Sequence, residues 1–268
     1  MENYRIYGTA PYTVAVVHGG PGAAGEMAPV AQELASRWGV LEPIQTATSL
    51  DAQVDELRAT LESYGDPPVT LIGYSWGAWL SYIVAARHPP LVSKLLLIGS
   101  GPFEEKYAVR IQETRFRRLN KKEQAEWVAI LRALGDPVTP NKDDLLARFG
   151  SLSEKADLYD PIMPEFNDSD LIGTQGDIFH KVWPAAAELR KNGKLLELGK
   201  RIRCSAVAFH GDYDPHPAEG VQKPLSVLLN DFHFVLLKNC GHTPWLERRA
   251  RASFYAKLKD ELICKQGI

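Results

Sequence analysis

The stretch 69-VTLIGYSWGAWLSYIVAAR-87 decides the fold. Residues 69–72 are apolar and predict a buried strand, and the residues after Gly77 predict an apolar helix that ends before two prolines. Between them, 73–77 match the pattern G-x-S-x-G at a strand-to-helix turn. A serine in an ordinary tight turn is the alternative that the pentapeptide alone leaves open. The strand and helix around it favour Ser75 as a nucleophile whose hydroxyl is held clear of the sheet.

The same alternation of apolar strand and amphipathic helix continues on both sides of this stretch and is typical of a parallel sheet. Charged helical segments without a buried strand replace it between about 103 and 200. We therefore predict an α/β fold, with a mostly parallel sheet flanked by helices and an inserted helical cap. Its core domain comprises 1–102 and 201–268, and its cap comprises 103–200. Further strands are expected at 13–17, 94–98, 205–209 and 232–237, and the last helix at about 245–264.

Composition excludes several classes of protein. The chain has 268 residues and a formal net charge of -2, which provides no basic surface for nucleic acid or an anionic membrane. No apolar run approaches about 18 residues, and the first residues lack the layout of a secretory signal, so we expect a cytoplasmic protein with no membrane partner. Its three cysteines are far apart and form no CxxC pair, which fits reduced thiols and argues against a structural zinc site.

A serine nucleophile needs a base and an acid that orients the base. In hydrolases with this turn the chain order is serine, acid, histidine. The predicted strand at 205–209 is followed by 210-HGDYDPH-216, and that at 232–237 by 238-KNCGHTPW-245. Both segments follow the carboxyl end of a strand, where parallel sheets place their sites. We expect His242 to be the base and Asp214 the acid, with His216 as a rival base and Asp212 as the alternative acid.

The segment after the first buried strand, 18-HGGPG-22, completes the predicted site. When Ser75 attacks a carbonyl group, the oxygen becomes an anion that needs preset hydrogen-bond donors. We expect one donor to be the backbone amide of Trp76 and the other that of Gly20, with Gly19 as the alternative. Pro21 has no N–H to donate. His18, Gly19, Pro21 and Gly22 would form the rest of the oxyanion loop.

Together, HGGPG at 18–22, GYSWG at 73–77, HGDYD at 210–214 and NCGHTPWLE at 239–247 resemble the α/β-hydrolases of the proline iminopeptidase type. The resemblance implies a Ser75–His242–Asp214 triad and oxyanion amides at Gly20 and Trp76. Tyr74 departs from the family, which usually has glycine there. In that family acidic cap residues hold the substrate's free amine, but no cap residue here can be matched to them. The available acids are Glu104, Glu105, Glu165, Asp168, Asp170 and Asp177.

These observations predict a serine hydrolase that uses no cofactor or metal ion and acts on a small ester, thioester or amide. An N-terminal proline aminopeptidase with a short peptide substrate, a carbon–carbon bond hydrolase and a non-catalytic binder on this fold are the alternatives. A metal site at Asp212, Asp214 and His216 would leave the serine idle. The oligomeric state leaves no trace in the sequence. Cap aromatics that could line a pocket or simply form core are Phe116, Trp127, Phe149, Phe166, Phe179 and Trp183, and a basic cluster lies at Arg115, Arg117 and Arg118.

Overall fold

The computed structural model describes residues 3–136, 138–140, 142–162 and 176–263. Seven strands form one sheet in the order β1-β3-β2-β4-β5-β6-β7. β1 is antiparallel to β3, and all the other neighbouring strands are parallel. The strands are β1 (Tyr4–Tyr7), β2 (Val14–Val17), β3 (Val40–Pro43), β4 (Val69–Tyr74), β5 (Val92–Ile98), β6 (Ser205–Gly211) and β7 (Phe232–Leu237).

The described helices lie between these strands and after the last of them. They are α1 (Ala28–Leu34), α2 (Leu50–Tyr64), α3 (Trp76–Arg87), α4 (Glu105–Ala108), α5 (Ile111–Arg118), α6 (Lys121–Gly135), α7 (Lys142–Asp157), α8 (Gly176–Lys191), α9 (Lys194–Glu197), α10 (Glu219–Leu228) and α11 (Arg251–Ile263). The predicted α/β fold with a mostly parallel sheet is confirmed. In the parts of the chain that the structure describes, no helix is both long and apolar enough to cross a membrane.

Two apolar layers cover the two faces of the sheet. One joins residues of α2, α3, α8 and α10 to the sheet, and the other joins α1 and α11 to its opposite face. Strands β2 and β4 are buried along their whole length and mostly apolar, because helices cover both faces of the sheet there. The ends of α2 follow ordinary capping chemistry: the side chain of Ser49 accepts a hydrogen bond from Ala52 N, and Gly65 follows the last helical residue.

The described part of the segment between β5 and β6 contains helices α4 to α9, joined by short non-helical stretches, and no further strand of the sheet. Helices α5, α6 and α7 share a small apolar cluster of their own around Trp127 and Leu152. Helices α8 and α9 pack instead on the main core, through residues that include Val182 and Leu195. The division into a core domain and a cap at 103–200 stays a prediction, and these contacts show that the helical segment is attached to the core along α8 and α9.

One expectation about an element boundary was wrong, and two strands had not been predicted. The last helix begins at Arg251 and not near Trp245, because Pro244–Leu246 forms a single 3₁₀ turn and Arg248 N donates a hydrogen bond to Asp160 O. Strands β1 and β3 were not predicted individually, since each is only four residues long and β1 lies at the sheet edge. In both places tertiary contacts, rather than local pattern, decide where the element lies.

The turn from β4 to α3 requires glycine at 73 and 77. A Cβ on Gly77 would overlap the carbonyl oxygen of Val17 and lie 2.5 Å from that of His18. A Cβ on Gly73 would overlap the carbonyl oxygen of Gly77. The helix that begins at Trp76 can therefore approach the backbone of β2 and the turn of β4 only because both side chains are absent. This close approach sets the direction in which α3 leaves the sheet.

We expect Gly77→Ala to lower the free energy of unfolding by about 1–3 kcal/mol, as overpacking of a tight contact does. Gly150→Ala is the matched control, because nothing lies within 4 Å of a Cβ at that position in α7. That change should raise stability by about 0.5–1 kcal/mol through helix propensity. Urea denaturation followed by circular dichroism measures both. A Gly77→Ala protein as stable as the wild type would contradict the packing argument.

Candidate active site

Ser75 occupies the residue between β4 and α3 in a strained backbone conformation. Its φ is 52° and its ψ is −114°, a region that residues with a side chain rarely adopt. Its N–H donates a hydrogen bond of 2.9 Å to the carbonyl oxygen of Ile98 at the end of the neighbouring strand β5. Strain of this kind persists only where the surroundings impose it, and here it turns the hydroxyl away from the sheet.

Ser75, His242 and Asp214 form a hydrogen-bonded chain. The distance between Ser75 Oγ and His242 Nε2 is 3.1 Å, and that between His242 Nδ1 and Asp214 Oδ2 is 2.7 Å. An ionised carboxylate can only accept, so Nδ1 carries the proton and Nε2 is free to accept from the serine hydroxyl. The three residues follow the carboxyl ends of β4, β7 and β6, as the strand prediction required.

The carboxylate of Asp214 is buried and surrounded by histidines. Burial alone would raise its pKa, but His242, His216 and His210 outweigh burial and hold the pKa well below its usual range. For His242 burial alone would lower the pKa, but the facing Asp214 carboxylate outweighs it and raises the pKa above the ordinary value. Asp214 is therefore ionised at neutral pH, and its charge favours a proton on the imidazole.

The structure separates the candidate acids and bases that the sequence left open. Asp212 accepts a hydrogen bond from Cys240 N at 3.3 Å, whereas Asp214 is bonded directly to His242. His216 lies on the other side of Asp214, with its Nδ1 and N both bonded to Oδ1 at 2.7 and 2.9 Å. Burial lowers the pKa of His216. The hydroxyl of Ser75 is bonded to His242, so His216 is a second partner of the acid.

Asp214, His216 and His242 are also a possible metal-ligand group, with donor atoms within 4.8 Å of one another. In the present arrangement the Nδ1 atoms of both rings face oxygens of Asp214 and not a common point away from it. Asp212 does not belong to this group, so the alternate-position trio at 212, 214 and 216 is not brought together. The geometry favours proton transfer over metal binding.

The loop 18–22 lies against the serine turn. A Cβ on Gly19 would lie 3.3 Å from Ser75 Cβ, which is a tight contact, so the glycine lets the loop backbone come close to the serine. Gly20 has a φ of 107°, which side chains rarely tolerate, and a Cβ on it would lie 2.5 Å from Gly22 N. Trp76 is the first residue of α3, and first-turn amides have no acceptor within their own helix. The glycines of the loop and the first turn of α3 therefore place backbone groups close to Ser75.

Comparison with known proteins identifies the family of this chain. Residues 14–253 match the family model described as "Alpha/beta hydrolase family". The chain belongs to the alpha/beta hydrolase family. A pimeloyl-[acyl-carrier protein] methyl ester esterase of Chromobacterium violaceum is 27% identical over 247 residues, which cover 87% of this chain and 88% of that protein.

Solved structures show the same fold. VinJ superposes with a TM-score of 0.73 at 20% identity, with 97% of this chain and 94% of that chain covered. The proline iminopeptidase of Mycobacterium smegmatis superposes with a TM-score of 0.60 at 17% identity, with 97% and 93% covered. The predicted superfamily is confirmed. At these identities the superpositions establish the fold of this alpha/beta hydrolase and not its substrate.

A buried polar network that sequence reasoning missed supports the loop 18–22. His18 Nδ1 donates to Gly19 O at 2.9 Å, and Gln45 N donates to His18 Nε2 at 3.1 Å. Gln45 Nε2 donates to His18 O at 2.9 Å. The indole of Trp76 donates to the side-chain oxygens of Gln45 and Gln53 at 2.9 and 3.1 Å. Glutamine at a buried helix position, as at Gln53, was the only signal of this network in the sequence.

Tyr74, the departure from the iminopeptidase pattern, connects the serine turn to the loop that carries His242. We call this loop, residues 238–247, the base loop, after the role predicted for His242. Its hydroxyl lies 2.7 Å from Thr243 Oγ1, and its ring packs against His242 and Trp245. Thr243 precedes the 3₁₀ turn Pro244–Leu246, and its side chain makes no capping hydrogen bond to that turn. Tyr74, the residue before Ser75, therefore holds the base loop in contact with the serine turn.

The cap aromatics and acids that the sequence offered for a substrate pocket lie in different surroundings. Trp127 and Phe149 pair inside the small cluster of α5–α7, whereas Phe179 and Trp183 stack in line with Trp79 of α3. Among the acids, each described side chain has a cationic neighbour: Glu104 has Lys106, Glu105 has Arg190, and Asp177 has Lys181. Glu165, Phe166, Asp168 and Asp170 lie outside the described residues.

The basic cluster on α5 is neither a carboxylate-binding site nor a uniformly solvated face. Arg115 forms a buried bidentate ion pair with Asp157, and Arg118 lies over the ring of Tyr213, 3.6 Å from its centroid. Arg117 is exposed and pairs with Glu113 on the same helix. Of the three arginines, only Arg117 is exposed to solvent.

We expect His18 to stay neutral, because burial lowers its pKa to about 4. An unfolded histidine takes up its proton near pH 6.5, so this group contributes stability at neutral pH that is lost as the pH falls from about 6.5 towards 4. NMR titration of the labelled imidazole measures the pKa directly. A midpoint near 6.5 for His18 would show that its ring is not held in the neutral form.

Proposed function

We propose that this alpha/beta hydrolase is a serine hydrolase that cleaves a small ester, thioester or amide through an acyl-enzyme. The observation that carries the proposal is the continuous chain from Ser75 Oγ through His242 to Asp214, with distances of 3.1 and 2.7 Å. This arrangement permits one proton to move from the hydroxyl to the imidazole as the nucleophile attacks. The relative from Chromobacterium violaceum is a methyl ester esterase by name, which supports an ester as the first substrate to test.

In the proposed mechanism, Ser75 Oγ bonds to the acyl carbon while His242 Nε2 takes the hydroxyl proton. The carbonyl oxygen becomes an anion that the amides of Gly20 and Trp76 bind. His242 then gives its proton to the leaving group, whose bond to the acyl carbon breaks. A water molecule repeats the sequence: it gives a proton to His242, attacks the acyl carbon and releases the acid as Ser75 regains its proton. Asp214 stays ionised and stabilises the imidazolium in both halves.

Ser75→Ala should lower the turnover of p-nitrophenyl acetate by at least about 10³-fold without changing the urea midpoint, because the nucleophile is lost and its packing is not. A fluorophosphonate probe should label the wild-type protein at Ser75 and leave the variant unlabelled. His216→Asn serves as the control for the second histidine and should retain labelling. A wild-type protein that fails to label beside a reactive control esterase would favour the non-catalytic binder.

The pH profile of kcat/KM should show an acid limb above pH 6.5, because His242 must be neutral to act as base and Asp214 raises its pKa. Activity is therefore lost as the pH falls through this raised pKa. Asp214→Asn should shift the limb to lower pH and reduce kcat by about 10³–10⁴-fold, since the tautomer and the counterion are both lost. An unchanged limb in the Asn variant would assign the titration to another group.

An aminopeptidase is the second candidate, and Glu26 favours it. The Oε2 atom of Glu26 lies 2.7 Å from the position of a Cβ on Gly19, so this half-buried carboxyl flanks the oxyanion loop. Its pKa is raised to about 7, because burial, together with the charge of Glu154, outweighs the opposing effect of His242. A substrate ammonium placed between Glu26 and Glu154 would hold both carboxylates in the ionised form.

If the substrate carries such an amine, Glu26→Gln should lower kcat/KM for proline-4-nitroanilide at least about tenfold relative to kcat/KM for p-nitrophenyl acetate. Glu219→Gln is the control, because Glu219 is exposed on α10 and pairs with Lys223. The ratio of the two rates is the measurement. If the ratio is the same in all three proteins, Glu26 does not recognise a substrate amine. The ester hydrolase then remains the proposed function.

A further inference from the structure

The residues just after α7 lie along the loop that carries His242. We call residues 157–162 the base strap. His242 N donates to Asp157 O at 2.9 Å, and farther along Ile162 N donates to Leu246 O at 2.7 Å and Arg248 N to Asp160 O at 3.0 Å. The strap belongs to the helical segment between β5 and β6, so this segment contacts the base loop directly.

A fully buried carboxylate joins the two segments. Glu247 Oε1 accepts hydrogen bonds from Gly241 N and Tyr159 N, and Oε2 accepts one from Asp160 N, each at 2.8 Å. Gly241 has no room for a side chain, because a Cβ there would overlap Asp157 O and lie 2.5 Å from Glu247 Oε1. Three backbone amides from two distant segments thus satisfy one buried charge, which is the condition for a stable buried carboxylate.

An ion pair fixes the strap from the opposite side. Arg115 of α5 donates from Nε and Nη2 to the two carboxylate oxygens of Asp157 at 2.7 and 2.6 Å. The side chains of this pair are only 15% and 8% exposed, so solvent screens the pair weakly. Arg118 donates to Ala156 O at 2.9 Å and lies over Tyr213, the neighbour of Asp214. Helix α5 therefore contacts both the base strap and the loop that carries Asp214.

We propose that the base strap positions the imidazole of His242, and that Arg115, Asp157 and Glu247 are positioning residues for the hydrolysis. The inference rests on the proposed serine hydrolase and adds to it that the helical segment takes part in the chemistry. None of the three side chains touches Ser75. Each acts through the backbone amides of Gly241 and His242, which set where the ring stands relative to the hydroxyl.

Arg115→Gln is the variant that tests the proposal. It removes the fork that holds Asp157, and a small displacement of a catalytic group lowers kcat by about ten- to a hundredfold. KM should stay within about twofold, because no substrate contact is assigned to Arg115. Arg148→Gln is the matched control. Arg148 makes the same fork with Glu126, at 2.7 and 2.9 Å, within the same helical segment but away from the base loop.

The pH profile separates positioning from a simple loss of charge. Arg115 lowers the pKa of His242, so removing its charge alone would raise that pKa and move the acid limb to higher pH. A loosened contact with Asp214 would lower the pKa and move the limb to lower pH. The charged and titratable groups that act on His242 are Asp214, His216, Tyr74, Glu26, Asp157 and Arg115.

Arg115→Gln should therefore show a reduced kcat, an unchanged KM and an acid limb at lower pH, whereas Arg148→Gln should match the wild type. An Arg115→Gln protein with kcat within about twofold of wild type, or with its limb at higher pH, would overturn the proposal. If that variant does not fold, Glu247→Gln replaces it, because an amide cannot accept from all three N–H groups. The same kcat loss at unchanged KM is expected, and a kcat within about twofold would overturn the proposal.

NMR keeps the test independent of turnover. If the wild-type protein neither labels nor hydrolyses esters, the serine hydrolase fails, and titration of the labelled His242 ring in Arg115→Gln still decides the role of the strap. A lowered His242 pKa supports positioning, and a raised or unchanged pKa overturns it. In the wild-type protein, hydrogen exchange at the Gly241 and His242 amides should be as slow as at Tyr159 and Asp160; exchange at the unprotected rate would also overturn the strap.

Discussion

The close approach of α3 to β2 is the constraint on which the site depends. Gly77 brings the helix backbone against Val17 and His18, and Gly73 leaves room for the turn itself. With those contacts in place, Ser75 is held at a φ of 52°, and its hydroxyl stands at the edge where β2, β6 and β7 also end. A turn in relaxed conformation would point the serine elsewhere, so part of the packing energy of the sheet is stored as local strain.

Electrostatics around Asp214 decide how the neighbouring imidazoles are used. One buried carboxylate faces His242 on one oxygen and His216 on the other. Its charge raises the pKa of His242, while burial lowers the pKa of His216. The two rings therefore differ in basicity although they share an acid. The ring with the raised pKa is also the one within hydrogen-bond distance of the serine, which is what a general base requires.

The helical segment between β5 and β6 has two different relations to the core. Helices α8 and α9 supply apolar residues to the main hydrophobic layer, as an ordinary α/β crossover would. Helices α5–α7 form a small apolar cluster of their own, and the base strap that follows them makes polar contacts with the loop of His242. Hydrogen bonds are directional, so they constrain the positions of the bonded groups more strictly than apolar packing does.

The sequence by itself determined the α/β class, five of the seven strands and the residues at the turns where the chemistry is concentrated. It did so because buried parallel strands leave continuous apolar runs and because glycines mark places where backbone must approach backbone. It left Asp214 and Asp212 open, as well as His242 and His216, since residues two apart on one loop, or histidines on different loops, differ only in where the fold directs them. Gln45, Gln53, Glu26 and the strap were decided by tertiary structure alone. A hydrogen bond between distant segments has no period and no motif, so only the assembled sheet brings its two ends together.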